Sequence, residues 1–510
     1  MLNSKWILIT TILAVAHWHG LAAADTPNVV YILADDMGIG DVSSLNANSK
    51  ISTPNIDRLT KEGMHFTDVH SGSGICTPTR YGILTGRYSW RTRMKSGVLW
   101  GYSPALINPE RLTIASLMKK RGYNTAAIGK WHLGMDLSTN DGLGVFAHGA
   151  NPDTRMFTGD IDWSKPIQNG PTALGFDYFF GISASLDMDP YIYIENDRFV
   201  GEATTIKDFT SSKTKPGRAH EDFDAIDVLP EIAARTVDYI ESQKDHTPFF
   251  VYMPLTAPHI PLVPADEFKG KSPLGTYGDF VLQVDHVVGQ VLDALDRKGF
   301  TKETLVIFAA DNGGAHYVGA AEMEKKGHFT NHVYRGYKAD IFEGGHRIPF
   351  IARWPEQVEP GTRSDETLCL TDLLATLANI TETKLTHFEA EDSVSFLPAL
   401  LGRTLQNPLR EAVVHHSGNG TFAIRQGKWK LVLDGGSGGW SFPTVAQAQL
   451  EGLPRIQLYN LEDDVAETTN VYQENPEVVS KLNALLLKYK SEGRSITLPR
   501  WNYDSIDGNL

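Results

Sequence analysis

Five uninterrupted apolar runs set the terms on which this chain can fold: Val29–Leu33 (VVYIL), Thr125–Ile128 (TAAI), Phe249–Met253 (FFVYM), Leu305–Ala309 (LVIFA) and Ile348–Ala352 (IPFIA). A run that is apolar at every position, rather than at alternate ones, reads as a strand buried on both faces. Such strands occur where helices cover both sides of a mostly parallel sheet. The segments between them agree, because Leu112–Lys120, Ile226–Ser242 and Phe280–Lys298 carry helical periodicity. The alternation predicts an α/β domain over residues 25–405. Past Gly402 the pattern changes to short strands at Val413–Val414, Thr421–Arg425, Lys428–Leu433 and Gln457–Tyr459, followed by an amphipathic helix at Glu477–Glu492. Residues 406–510 therefore read as a small α+β domain with an antiparallel sheet, and Gly435–Gly439 (GGSGG) as a loop tip. A chain of 510 residues exceeds one compact core, which fits two domains.

The N-terminus reads as an address label. Lys5 precedes the apolar stretch Trp6–Ala16, too short to span a bilayer comfortably, and Ala22-Ala23-Ala24 offers a small-residue cleavage site. Residues 1–24 are expected to be a signal peptide. The mature protein is then secreted or periplasmic, with no membrane anchor after cleavage. A net charge of −14 excludes nucleic acid as the main partner but leaves anionic small substrates open, since a local basic pocket decides those. Of the two cysteines, Cys369 sits in a leucine-rich run and Cys76 in a Gly/Ser/Thr/Pro loop, unlike settings that argue against a disulfide.

Chemistry clusters where the apolar runs end. In open α/β sheets ligands bind beyond the carboxyl ends of the strands. Asp35 and Asp36 follow the first run, and Asp311 and Asn312 follow the fourth. These are hard oxygen ligands with no nitrogen or sulfur donor among them, a set that suits Ca²⁺ or Mg²⁺ better than Zn²⁺. Lys130 and His132 follow the second run, and His259 follows the third. Two apart in an extended segment, Lys130 and His132 point to one side and make a clamp for a tetrahedral oxyanion. In Ser71–Arg87 (SGSGICTPTRYGILTGR), Thr77 reads as a helix N-cap, Pro78 as the first helical residue and Gly86 as the stop. Cys76 then lies at a helix N-terminus, where free N–H groups attract anions and lower a thiol's pKa, with Arg80 adding a planar cation.

Cys76-Thr77-Pro78-Thr79-Arg80 with Thr85-Gly86-Arg87 resembles the C-x-P-x-R…TGR signature of the type I sulfatases. The likeness continues through PNVVYILADDMGIGD, TPNIDRLTKEG, GKWHLG, PHIP, DNGG, YKADIFEGGHRIPFIARWP and LYNLEDDVAETTN, over nearly the whole mature chain. It implies an alkaline-phosphatase-like α/β sandwich with a small C-terminal domain, and an arylsulfatase-like carbohydrate sulfatase. It implies that a formylglycine-generating maturation enzyme oxidises Cys76 to formylglycine. One Ca²⁺ is then held by Asp35, Asp36, Asp311 and Asn312 with residue 76 beside it. Arg80 holds the formylglycine hydrate, and Lys130, His132, His259, Lys338 and Ser185 surround the sulfate. The substrate class implied is a sulfated carbohydrate, with a galactose- or N-acetylgalactosamine-6-sulfate ester as the specific expectation. Asp187–Tyr191, His316, Tyr317, His328, His332 and Arg335 are candidates for a sugar subsite. Two rivals stand beside this reading: a formylglycine-dependent phosphonate or phosphate ester hydrolase, since both anions are tetrahedral, and an inactive glycan-binding homologue.

Overall fold

A computed structural model describes residues 26–142, 144–145, 159–209 and 216–496, so the expected signal peptide lies outside the described residues. Among the described residues ten strands form the main sheet: β1 (Asn28–Ala34), β2 (Met64–Phe66), β3 (Asn124–Lys130), β4 (Tyr178–Ile182), β5 (Ile194–Glu195), β6 (Arg198–Phe199), β7 (Phe249–Pro254), β8 (Thr304–Ala310), β9 (Phe350–Arg353) and β10 (Thr362–Ser364). Their spatial order is β10-β2-β9-β8-β1-β7-β3-β4-β5-β6. The central five, β8-β1-β7-β3-β4, are parallel, while β9 runs antiparallel to both β8 and β2. Every residue of β1, β7 and β8 is buried, as two-sided coverage requires.

Two groups of helices supply that coverage. Helices α1 (Pro54–Glu62) and α4 (Ala225–Ser242) each pack against α5 (Thr276–Lys298), while α2 (Cys76–Thr85), α3 (Ile114–Lys120) and α6 (Asp372–Ile380) pack on one another. The run Ile348–Ala352 becomes strand only from Phe350, because Pro349 has no N–H for the ladder.

A second, four-stranded antiparallel sheet follows, from β11 (Val413–His416), β12 (Phe422–Gln426), β13 (Trp429–Val432) and β14 (Gln457–Asn460). Helix α7 (Pro476–Ser491) lies across it and buries Leu482, Leu486 and Tyr489 against Ile424 and Leu431. Cys369 joins this apolar cluster, and both cysteines are free. Gly435–Gly439 is not a loop tip. The run is buried, and a Cβ on Gly439 would fall 2.5 Å from the Ala339 carbonyl group, so the chain threads where only glycine fits.

Candidate active site

Parallel pairing of β1 with β8 decides where the acids meet. The register sets Ala34 opposite Ala310, and the ladder continues one step as Asp311 N–H donates to Ala34 O at 3.0 Å. Asp35-Asp36 and Asp311-Asn312 thus emerge side by side at one edge, all fully buried. Asp36 takes a left-handed backbone conformation, φ 66°, and its N–H donates to Asp311 Oδ1 at 3.2 Å. Asn312 Nδ2 donates to Asp36 Oδ1 at 2.8 Å, and Asn312 Oδ1 is buried without a partner among the described residues.

Helix α2 brings Cys76 to the same edge, with Sγ 3.6 Å from Asp35 Oδ1. The helix begins at Cys76 itself, and Thr77 is not its cap. The Thr77 hydroxyl instead donates to His132 O and accepts the Leu99 N–H, tying the helix to the loop after β3. Gly86 closes the helix in a left-handed turn at φ 62°. The expectation of a lowered thiol pKa is also corrected. Burial pushes the Cys76 thiol up, and Lys130 and Lys338 offset this only in part. One turn on, the Arg80 guanidinium is fully buried and donates to Asp311 Oδ2 from Nε and Nη2 at 3.2 and 2.8 Å, and to Lys130 O from Nη1 at 3.0 Å.

Two lysines complete a charge-balanced pocket. Lys130 Nζ lies 2.6 Å from Asp35 Oδ2, and Lys338 Nζ 2.7 Å from Asp36 Oδ2. Burial would raise Asp35, but Lys130, His259, Arg80 and Lys338 outweigh it and hold the carboxyl well below its usual range. Asp311 goes the other way, since burial and the neighbouring Asp35 charge push it up to about 6. Ser185 Oγ bridges Lys130 Nζ and His259 Nδ1, 3.2 Å from each.

The histidine tautomers follow from their carbonyl partners, which only accept. His259 Nδ1 lies 2.7 Å from Ile260 O and carries the proton, so Nε2 faces Asp36 Oδ2 at 3.6 Å. His132 Nε2 is 2.8 Å from Leu99 O, leaving Nδ1 buried with no partner among the described residues. His132 sits at φ 57°, so the extended-segment argument for its shared side with Lys130 does not hold, although both reach the site. Burial, then neighbouring cations, lowers both imidazoles: Lys130 and Arg80 act on His132, Lys338 on His259.

The donor set fits a hard cation. Asp35, Asp36, Cys76 and His259 offer ligand atoms all within 4.8 Å of one another, and the unpartnered Asn312 Oδ1 supplies a neutral oxygen nearby. A cation there would also relieve the repulsion that raises Asp311.

Every predicted site residue lies in this pocket or against it, but the sugar-subsite candidates divide. Tyr317 belongs to the rim, with its hydroxyl 3.1 Å from Asp36 Oδ2 and 3.3 Å from Lys338 Nζ. Asp187 keeps a buried Oδ1 without a partner among the described residues. His328 is instead a buried structural group 2.8 Å from Asp41 Oδ1, and Arg335 is committed to Glu467 O at 2.7 Å. Trp440 borders the pocket beside Tyr317, a neighbour that the sequence does not mark, because it follows the glycine run 100 positions beyond Asp340, whose Oδ1 accepts its N–H.

A buried acid cluster, two lysines, an arginine and two histidines at the carboxyl edge of a mixed, mostly parallel sheet define an enzyme acting on esters of a tetrahedral anion. Comparison with known proteins narrows the class. The family model described as Sulfatase matches residues 27–383. The chain is 34% identical to the N-acetylgalactosamine-6-O-sulfatase of Bacteroides thetaiotaomicron over 91% of its own length and 93% of that protein's. It is 31% identical to Arylsulfatase A of Homo sapiens, over 92% and 88% of the two chains. A solved structure from work on the metabolism of multiple glycosaminoglycans by Bacteroides thetaiotaomicron superposes with a TM-score of 0.78 at 32% identity, covering 91% of this chain and 99% of that one. The chain belongs to the sulfatase family, as a sulfuric ester hydrolase with an alkaline-phosphatase-like fold.

Proposed function

We propose that this enzyme removes sulfate from a sulfated glycan, with a galactose- or N-acetylgalactosamine-6-sulfate ester as its specific substrate. Similarity to the Bacteroides thetaiotaomicron N-acetylgalactosamine-6-O-sulfatase and the mouse N-acetylgalactosamine-6-sulfatase supports that choice of sugar. The observation that carries the mechanism is the meeting of Cys76, three acids and three cations in one buried pocket, with the thiol pushed away from ionisation. A buried neutral thiol is a poor nucleophile. Conversion of Cys76 to formylglycine by a maturation enzyme would supply a hydrated aldehyde as the attacking group. One Ca²⁺ held by Asp35, Asp36, Asp311 and Asn312 would supply charge stabilisation there.

The chain's own side chains divide the remaining work. Arg80 orients residue 76 and neutralises Asp311. Lys130 and Lys338 are the cations nearest the acids, and they balance charge on the sulfuryl oxygens. Ser185 positions the sulfate through Lys130 and His259. His259 gives the Nε2 proton to the departing alcohol oxygen, and an anionic sulfate beside it offsets the burial that disfavours its charged form. His132 presents the free lone pair of Nδ1 for the proton released when sulfate leaves. Residues 1–24 act as the export signal, 25–405 as the catalytic domain and 406–510 as the C-terminal domain. The apolar N-terminal run supports a secreted or periplasmic location. Among the described residues no helix is long and apolar enough to cross a membrane.

The test is peptide mass of the Cys76 segment together with sulfate release from 6-O-sulfated N-acetylgalactosamine and from aryl phosphate. Mass loss at Cys76 with sulfate release is expected, and Cys76→Ala should abolish turnover. An active enzyme with an unmodified thiol, or a clear preference for phosphate, would reject the reading.

A further inference from the structure

Trp440 is a large aromatic left 45% exposed, yet its backbone is firmly held. Its N–H and that of Ser441 both donate to Asp340 Oδ1, at 2.9 and 3.0 Å. Asp340 lies two residues beyond Lys338, so the pocket wall itself carries the anchor. The glycine run before Trp440 is pressed against Ala339 and Asp340 so closely that no side chain fits at Gly439. The indole is thereby delivered from the C-terminal part of the chain to the pocket mouth.

There it meets other rings. The Trp440 centroid is 5.9 Å from Tyr317 and 6.0 Å from His316, and His316 is 6.3 Å from Tyr337. Tyr317 in turn reaches Asp36 and Lys338 through its hydroxyl. One aromatic ring therefore separates the exposed indole from the charged pocket. The indole is part covered by these rings and part open, so an apolar face remains available beside the pocket. A pyranose fits, because its C–H face is apolar and stacks on an aromatic face, while its hydroxyls reach polar neighbours such as His316.

We propose that Trp440, with His316 beside it, is the stacking platform for a pyranose ring of the bound glycan, next to the sulfate pocket. The inference rests on the glycan-sulfatase reading and adds where the sugar ring is gripped. The ring is then gripped by a residue from the C-terminal part of the chain.

The test uses a panel of sulfated galactose and N-acetylhexosamine saccharides, with 4-nitrophenyl sulfate as a sugar-free ester. On the saccharide turned over fastest, Trp440→Ala should raise KM about ten-fold with kcat little changed, and Trp440→Phe should recover most of the loss. Calorimetry with the desulfated saccharide should show the same weakening, a readout independent of turnover. An unchanged KM and unchanged binding in Trp440→Ala would overturn the platform alone. Wild-type cleavage of the aryl ester with no saccharide turned over would overturn the glycan reading and the platform together.

Discussion

Lys430→Met should unpin the second sheet from the pocket wall, and its cost can be worked from the structure. Lys430, on β13, is fully buried between two acids, with Nζ 3.0 Å from Glu343 Oε1 and 2.8 Å from Glu467 Oε1. Glu467 Oε2 also accepts the Glu343 N–H at 2.6 Å. Burial would raise Glu343, but Lys430, His70, His346 and Arg425 hold it well below its usual range. Burial and the Glu343 charge push Glu467 up to about 7. Methionine fills similar space without charge; Glu343 keeps Arg347 and Arg425, while buried Glu467 is left facing it without its cation. Breaking a buried pair in this way costs about 3–5 kcal/mol. The loss depends on pH. A carboxyl raised in the folded state stabilises below its unfolded pKa, and that contribution is lost as pH rises through the folded value. Without Lys430, Glu467 holds its proton to higher pH than in the wild type. The destabilisation should therefore be smaller at pH 6 than at pH 8, by about 1.4 kcal/mol for one proton held through one further pH unit. Urea unfolding followed by tryptophan fluorescence at both pH values measures this. The double variant Lys430→Met/Glu467→Gln should recover part of the loss. A single variant as stable as wild type at pH 8, or one destabilised more at pH 6, would refute the reasoning.

Other predictions follow from the same geometry. His416 is fully buried and burial lowers its pKa to about 4, so the unfolded chain binds a proton the native one refuses; stability from this group is lost as pH falls from about 6.5 to about 4, by about 3 kcal/mol. His416→Gln should flatten that part of the unfolding-versus-pH curve. Gly439→Ala places a methyl 2.5 Å from the Ala339 carbonyl group and should cost about 1–3 kcal/mol in a thermal melt while displacing Trp440. Added Ca²⁺ should raise the melting temperature of the wild type and do so far less in Asp35→Asn, since each carboxylate lost weakens a hard-cation site. Lys338→Met removes the cation 2.7 Å from Asp36 Oδ2, and kcat/KM should fall by at least about a hundred-fold, read by sulfate release.

The sheet was legible in the chain because burial on both faces writes itself as an unbroken apolar run, and Val29–Leu33 and Leu305–Ala309 proved to be neighbouring central strands. The acids after them were legible for the same reason, since parallel strands that pair in register must bring their carboxyl ends together. Local sequence also dictated the Gly86 stop of α2, which is a matter of backbone sterics within one turn. It could not dictate the state of the Cys76 thiol: helix-terminus chemistry argued down, and only packed surroundings, by removing water, drove it up. The left-handed backbone of His132, the commitment of Arg335 to Glu467 and the burial of Gly435–Gly439 were likewise decided by partners far along the chain. Short-range rules fix strands and glycine turns because their energies involve a few adjacent residues, whereas the Thr77 hydroxyl, a cap by local pattern, is taken by His132 O and the Leu99 N–H. Solvation and ring contacts depend on which distant surfaces close over a side chain, and that is settled only when the two sheets pack.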